Sequence, residues 1–243
     1  MVGPIAIAFH AEKLHDDRVW KHMYRFASRL TKSDIIATFF IYPFRAQVAG
    51  IDITSRVQTV AALGHEIAQH THFYAGTRID SGEKVDDLSE NNIVQCLSRD
   101  FTTLERIGVR PRGFSAGGWL VNRTVCDTLI NLGFGYDCSA QFPKPKKLVN
   151  SANNFWLRSP GYYSNSRGQI LCLPTTCSLG EWFKWGWRVR TEGRLPYQLV
   201  YLHDYDLLSL RHRLMLSCLL KMSGRSTKPL ANIAGEFRFE EVI

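Results

Sequence analysis

Short apolar runs alternate with stretches of helical period along most of this chain, and that order constrains its fold more than any other feature. Residues 5–9 form a continuous apolar run after Pro4, as a strand buried on both faces does. Residues 18–30 then place Val19, Met23, Phe26 and Leu30 at helical spacing. Residues 35–41, with Thr38, Phe39 and Phe40, read as a second buried strand. A helix over 55–63 and a short strand over 66–68 follow. Ser89 is placed to cap a helix over 91–107, whose apolar positions include Ile93, Leu97 and Leu104. A strand end at 113–116 runs into the turn Gly117-Gly118. A helix over 122–132 closes on Gly133, and a short strand covers 134–137. Strands over 169–173 and 198–202 and a helix over 207–222 complete the series. Strand followed by helix throughout predicts an α/β fold with a mostly parallel sheet, closed into a barrel with its helices outside. Residues 139–166, rich in Pro, Asn and Ser, read as surface loops or the edge of a lid.

The 243 residues suit one barrel-sized domain covering 1–243. A hydrophobic share of 45% supplies a core and excludes a disordered or fibrous chain. The first residues lack the basic start, long apolar stretch and small-residue cleavage site of a secretion signal. No run approaches the roughly 18 apolar residues of a membrane span. The expectation is therefore a soluble cytoplasmic protein without a membrane span. The six cysteines form no C-x-x-C pair and sit in apolar or helical contexts, which favours free buried thiols. A net charge of +8 fits nucleic acid, an anionic membrane face, or a phosphorylated or nucleotide-bearing substrate. The positive residues are scattered, however, and the one dense cluster, Lys144, Lys146 and Lys147, lies beside prolines in a loop. No nucleic-acid partner is expected, and self-association stays open.

Four strand ends carry reactive side chains. In Phe9-His10-Ala11-Glu12, alternation puts His10 and Glu12 on one face of an extended segment. In His70-Thr71-His72 it puts both imidazoles on one face. Imidazoles and one carboxylate are a common three-ligand set for catalytic Zn²⁺. The third end is Phe134-Gly135-Tyr136-Asp137. The fourth is Leu202-His203-Asp204-Tyr205-Asp206, where a His beside carboxylates suits general acid work. Such an assembly suits hydrolysis of an amide or ester. Plainer roles compete: Asp16 and Asp17 suit caps of the first helix, His65 a structural turn, and Asp137 a turn. Asp204 and Asp206 equally suit caps of the following helix. The aromatic cluster Trp182, Phe183, Trp185 and Trp187 reads first as core or lid packing and second as a sugar-stacking surface.

The order of motifs resembles the polysaccharide deacetylase family (the NodB-homology domain, or carbohydrate esterase family 4), in a divergent branch marked by G-G-W. Gly64-His65-Glu66-Ile67 followed by His70 is similar to that family's G-H-E-I-x-x-H element. Residues 113–119 resemble G-F-R-A-G-G-W, residues 132–139 resemble L-G-F-x-Y-D-S-S, and residues 202–207 resemble the segment holding the H-x-x-D motif. The resemblance implies a distorted (β/α) barrel of about seven parallel strands. It also implies a metal-dependent N-deacetylase acting on a small-molecule amino sugar. By position, Glu12 and His70 would be metal ligands, His203 the general acid and Asp206 its partner. Ser115, Trp119, Tyr136, Asp137 and Tyr74 would line the substrate site. The second metal His of the common spacing falls on Tyr74, whereas the G-G-W spacing gives His72, which is the favoured ligand. The ion would be Zn²⁺, with Co²⁺, Ni²⁺ or Mn²⁺ admissible. Two departures stand out. His10 occupies the place of the family's Asp base, and Ser115 that of the Arg that pairs with it. An Arg facing a neutral imidazole has no carboxylate to hold, so the two changes are mutually consistent. His10 is then the base or a base-positioning group. The rivals are an amidase acting on a non-sugar C–N bond and a catalytically silent binding module on the same fold.

Overall fold

The computed structural model describes residues 3–74, 88–143, 156–186, 195–223 and 227–237. Lys144, Lys146, Lys147 and Trp187 lie outside the described residues. The strands are β1 (Ile5–Ala11), β2 (Thr38–Ile41), β3 (Glu66–Thr71), β4 (Gly113–Ala116), β5 (Tyr136–Asp137), β6 (Gly161–Asn165), β7 (Gly168–Cys172), β8 (Cys177–Ser178) and β9 (Gln198–His203). The helices are α1 (Asp17–Lys32), α2 (Pro43–Val48), α3 (Thr54–Ala62), α4 (Glu90–Arg106), α5 (Arg123–Leu132), α6 (Leu179–Glu181), α7 (Leu210–Ser223) and α8 (Leu230–Gly235).

All nine strands form one curled sheet in the order β6-β7-β5-β4-β3-β2-β1-β9-β8. Every neighbouring pair is parallel except β6 with β7. The strands of the sheet's centre read as unbroken apolar runs because both faces are covered. Ile5, Ile7 and Phe9 of β1 face the helix layer, with Met23, Phe26 and Leu30 of α1 and Val57 and Val60 of α3. Ala6, Ala8, Phe40, Ala68, Tyr136 and Leu199 face the inside of the curl, where Leu230 and Ile233 of α8 join them. Each large aliphatic side chain so buried contributes about 1.5–3 kcal/mol. α1 starts where it does because Asp16 accepts hydrogen bonds from the backbone of Arg18 (2.8 Å) and Val19 (3.3 Å). Ser89 caps α4 in the same manner, through the backbone N–H of Asn92.

The mostly parallel α/β expectation holds, with three corrections. Among the described residues the sheet has nine strands rather than about seven: β8 is two residues long, too short to leave a periodic signal, and β6 lies in the stretch read as loop. Residues 139–166 are not all loop. Within them, β6 is a half-exposed, polar edge strand, so no apolar run announces it. Among the described residues no strand pair closes β6 onto β8. Five of the six cysteines are buried and all are free, but Cys218 is exposed.

Candidate metal centre

β1, β3 and β9 end at the same rim of the sheet, and each delivers part of one cluster. The register aligns His10 of β1 with His203 of β9, and His70 of β3 with Ser115 of β4. Glu12 extends β1 by one residue. Its Oε1 lies 3.1 Å from His72 Nε2, 3.4 Å from His70 Nε2 and 3.6 Å from His203 Nε2. The two Nε2 atoms of His70 and His72 are themselves 3.2 Å apart. Glu12, His70 and His72 thus form a group able to hold a metal ion, the arrangement proposed from sequence.

Backbone fixes the chemistry of His70. Its Nδ1 is 2.7 Å from the Ser115 carbonyl oxygen, so Nδ1 carries the hydrogen and Nε2 offers a lone pair. That lone pair faces a carboxylate oxygen and a second imidazole nitrogen at little more than 3 Å. Three acceptors cannot crowd together without protons or a cation between them. Nitrogen and oxygen ligands at about 2.0–2.1 Å in a tetrahedral shell sit about 3.3 Å from one another, so the observed separations fit Zn²⁺. The cluster is also enclosed: His70 is 1% exposed and the Glu12 side chain 11%.

The room for His72 comes from a glycine. A Cβ on Gly117 would lie 2.3 Å from His72 Nδ1, an impossible contact. Gly118 and Trp119 then turn through positive φ angles of 69° and 61°. This turn brings the Trp119 ring to 5.7 Å from His10 and 4.9 Å from Tyr201. Aromatic rings surround the cluster. Tyr74 stacks on His72 at 5.1 Å, Tyr42 lies 5.0 Å from the same ring, and Tyr205 stacks on His203 at 4.8 Å.

His203 and His10 have opposite electrostatics. Burial pushes the His203 pKa down, but Asp206 and the charge of Glu12 outweigh it and hold it above the usual value. Asp206 Oδ2 accepts from the His203 backbone N–H at 2.9 Å and lies 3.6 Å from Nδ1. His10 is fully enclosed. Burial, then the neighbouring His70 and His203, hold its pKa well below the usual value. Its ring lies 4.7 Å from His70, 5.6 Å from His203 and nearly parallel to Tyr201 at 5.1 Å.

Not every residue expected at the site is there. Tyr136 points into the curl below the rim, and its hydroxyl donates to Glu66 Oε1 at 2.6 Å. Glu66 precedes His70 by four strand residues, a separation of about 13 Å. Asp137, one residue on, faces the opposite side of the sheet by alternation. It is fully buried, its Oδ1 accepts from the Ser139 backbone at 2.9 Å, and Oδ2 has no partner among the described residues. Both belong to the packing of β5 rather than to the metal centre. Ser115 is at the centre through its backbone carbonyl; its Oγ is buried without a partner among the described residues. Trp182 is core: its Nε1 donates to Gln198 Oε1 at 3.1 Å. Sequence reasoning missed Gly117, Tyr42, Tyr205 and Arg45, whose Nη1 lies 3.9 Å from Glu12 Oε2. Only Gly117 had a signal, the G-G-W turn.

Asp137 yields a prediction. Burial raises its pKa to about 6, against an opposing pull from Ser139. A carboxyl whose folded pKa is raised binds its proton more tightly in the native state. Stability therefore falls as pH rises from about 4 to about 6, and the cost persists above that. Asp137→Asn should stabilise the protein at pH 7 by roughly 1–3 kcal/mol, with the advantage gone below about pH 4. Urea denaturation at the two pH values measures it, and equal differences at both would refute the assignment.

No known family profile matches the chain's sequence, and no curated protein matches it. Solved structures do match. A candidate polysaccharide deacetylase from Mycobacterium smegmatis superposes with a TM-score of 0.66 at 17% identity, covering 100% of this chain and 93% of that one. The fold is the NodB-like fold of carbohydrate esterase family 4. An allantoinase matches with a TM-score of 0.61 at 15% identity, covering 95% of this chain and 88% of its own. A family 4 pseudoenzyme from Bacillus anthracis matches at 0.56 and 13% identity, covering 95% of this chain and 65% of its own. This NodB-like fold thus occurs in hydrolases and in a protein described as a pseudoenzyme, and the residues at the rim must distinguish the two. Among the described residues no helix is long and apolar enough to cross a membrane.

Proposed function

We propose that this NodB-like protein is a metal-dependent hydrolase that removes an N-acetyl group from an amino sugar or a sugar-containing small molecule. The observation that carries this reading is the convergence of Glu12 Oε1, His70 Nε2 and His72 Nε2 within 3.4 Å of one another. A divalent ion held by these three, Zn²⁺ by the fit of their spacing, would supply Lewis acidity toward the amide carbonyl and toward water. The chain's own residues supply the proton transfers. His10, neutral because it is buried, accepts the proton of the attacking water. His203, whose pKa Asp206 and Glu12 hold above the usual imidazole value, donates to the departing amine nitrogen. The flat rings of Trp119, Tyr74 and Tyr205 at the rim offer a platform on which a sugar ring can stack.

A binding module without turnover is the rival, favoured by His10 and Ser115 standing where the resembled family carries Asp and Arg. Metal analysis of the purified protein, combined with acetate release from N-acetylglucosamine oligomers, tests the deacetylase reading. The expected result is about one equivalent of divalent metal, with turnover lost on chelation and restored by Zn²⁺. Metal-replete protein that releases no acetate from any N-acetyl sugar would overturn the sugar-deacetylase reading.

A further inference from the structure

We propose that the outer face of α1 and α7 is a docking surface for a bilayer rich in anionic phospholipids. α7 is apolar on both sides. Leu216 and Leu219 are buried against the helix layer. On the opposite side Leu210, Leu214 and Met222 are 62%, 61% and 60% exposed. With exposed Cys218 they recur every fourth residue, so they form one stripe along the helix. A soluble helix normally turns a polar face outward, and this one turns leucines.

The stripe is rimmed by cations. Arg211 and Lys221 are exposed on α7, with Arg213 half-buried at its edge, and Lys21, Arg25 and Arg29 are exposed on α1. The two helices adjoin, since Arg29 Nη1 donates to Ser217 Oγ at 3.2 Å. α7 contains no acidic residue. α1 contains one, Asp17, whose carboxylate is paired with Arg56. The face therefore carries apolar side chains and basic groups with almost no anion of its own.

Charge selects the occupant. A second copy of the chain would press two sets of cations together. A nucleic acid would meet the cations but leave the leucine stripe in water. An anionic bilayer satisfies both at once: the basic groups reach lipid phosphates while Leu210, Leu214 and Met222 enter the acyl boundary. Such a protein lies on the membrane rather than crossing it. The inference is independent of the metal centre and fails or stands separately from it.

The test is co-sedimentation with vesicles of equal parts phosphatidylcholine and phosphatidylglycerol, against pure phosphatidylcholine. The protein should partition onto the anionic vesicles only, and less as salt rises. Arg25→Glu should lower partition at least about fivefold, equivalent to about 1 kcal/mol per basic group near such a surface. Leu214→Glu, at an exposed position where folding is preserved, should lower it at least as far. Circular dichroism melts of both variants confirm that they are folded. No partition onto anionic vesicles at low salt would overturn the proposal, and so would equal partition onto neutral ones. Partition untouched by Leu214→Glu, or a dimer in solution that this variant abolishes, would overturn it as well.

Discussion

His70→Ala should lose both bound metal and turnover while remaining folded. His70 is the most enclosed of the three candidate ligands, and its Nδ1–H is already committed to the Ser115 carbonyl. Neither adjacent group takes its place, because Ser115 presents a carbonyl and His10 packs its ring against Tyr201. With two ligands left, the site falls short of the three that a catalytic zinc site supplies. The expected fall in kcat/KM is at least about a thousandfold, or roughly 4 kcal/mol of transition-state stabilisation. Thermal melts separate this effect from misfolding. Zn²⁺ at about a hundred times its dissociation constant should stabilise the parent protein by about 2.7 kcal/mol and the variant hardly at all. A variant that keeps full metal content would refute the ligand assignment.

The second large effect is expected at Gly117, which touches no substrate. Its backbone lies outside the positive-φ region, so alanine is tolerated conformationally. The added methyl nevertheless meets the His72 ring at 2.3–2.5 Å. That ring cannot swing aside freely, being stacked on Tyr74 and packed against Tyr42. Gly117→Ala should therefore weaken metal affinity about 10–100-fold, the range seen when a ligand's support is disturbed. Gly118→Ala is the matched control. It strains a φ of 69° but meets nothing within 4 Å. It should cost about 1 kcal/mol of stability and leave metal affinity unchanged. Isothermal titration with Zn²⁺ on both variants makes the comparison, and identical affinities for the two would remove the steric explanation.

His70 and Gly117 differ in how visible their roles are in the sequence. His70 and His72 were legible because alternation along a strand is a local property: two residues apart means the same face, whatever the rest of the chain does. Glu12 was legible as a partner of the same kind, at another strand end. The part played by Gly117 was not, since the ring it must avoid belongs to β3 and the glycine follows β4. Tyr136 shows the reverse error. Its neighbours match a site motif, yet the register Gly113 with Tyr136 sets it below the rim, where Glu66 takes its hydroxyl. Asp137 then falls on the outward face by the same alternation that made the histidines readable.

Hydrophobic period and capping residues determined, from sequence alone, that this chain alternates strand and helix and carries its reactive side chains at strand ends. Those signals are short-range, because a helix or strand declares itself within ten or so residues. The tertiary structure alone decided which strands pair and in which register, and that Glu12 meets an imidazole 58 residues away at 3.4 Å. Sheet register, close approach at a glycine and the face on which leucines remain exposed depend on contacts between segments far apart in the chain. No local pattern encodes them, since each arises only when the separate elements pack against one another.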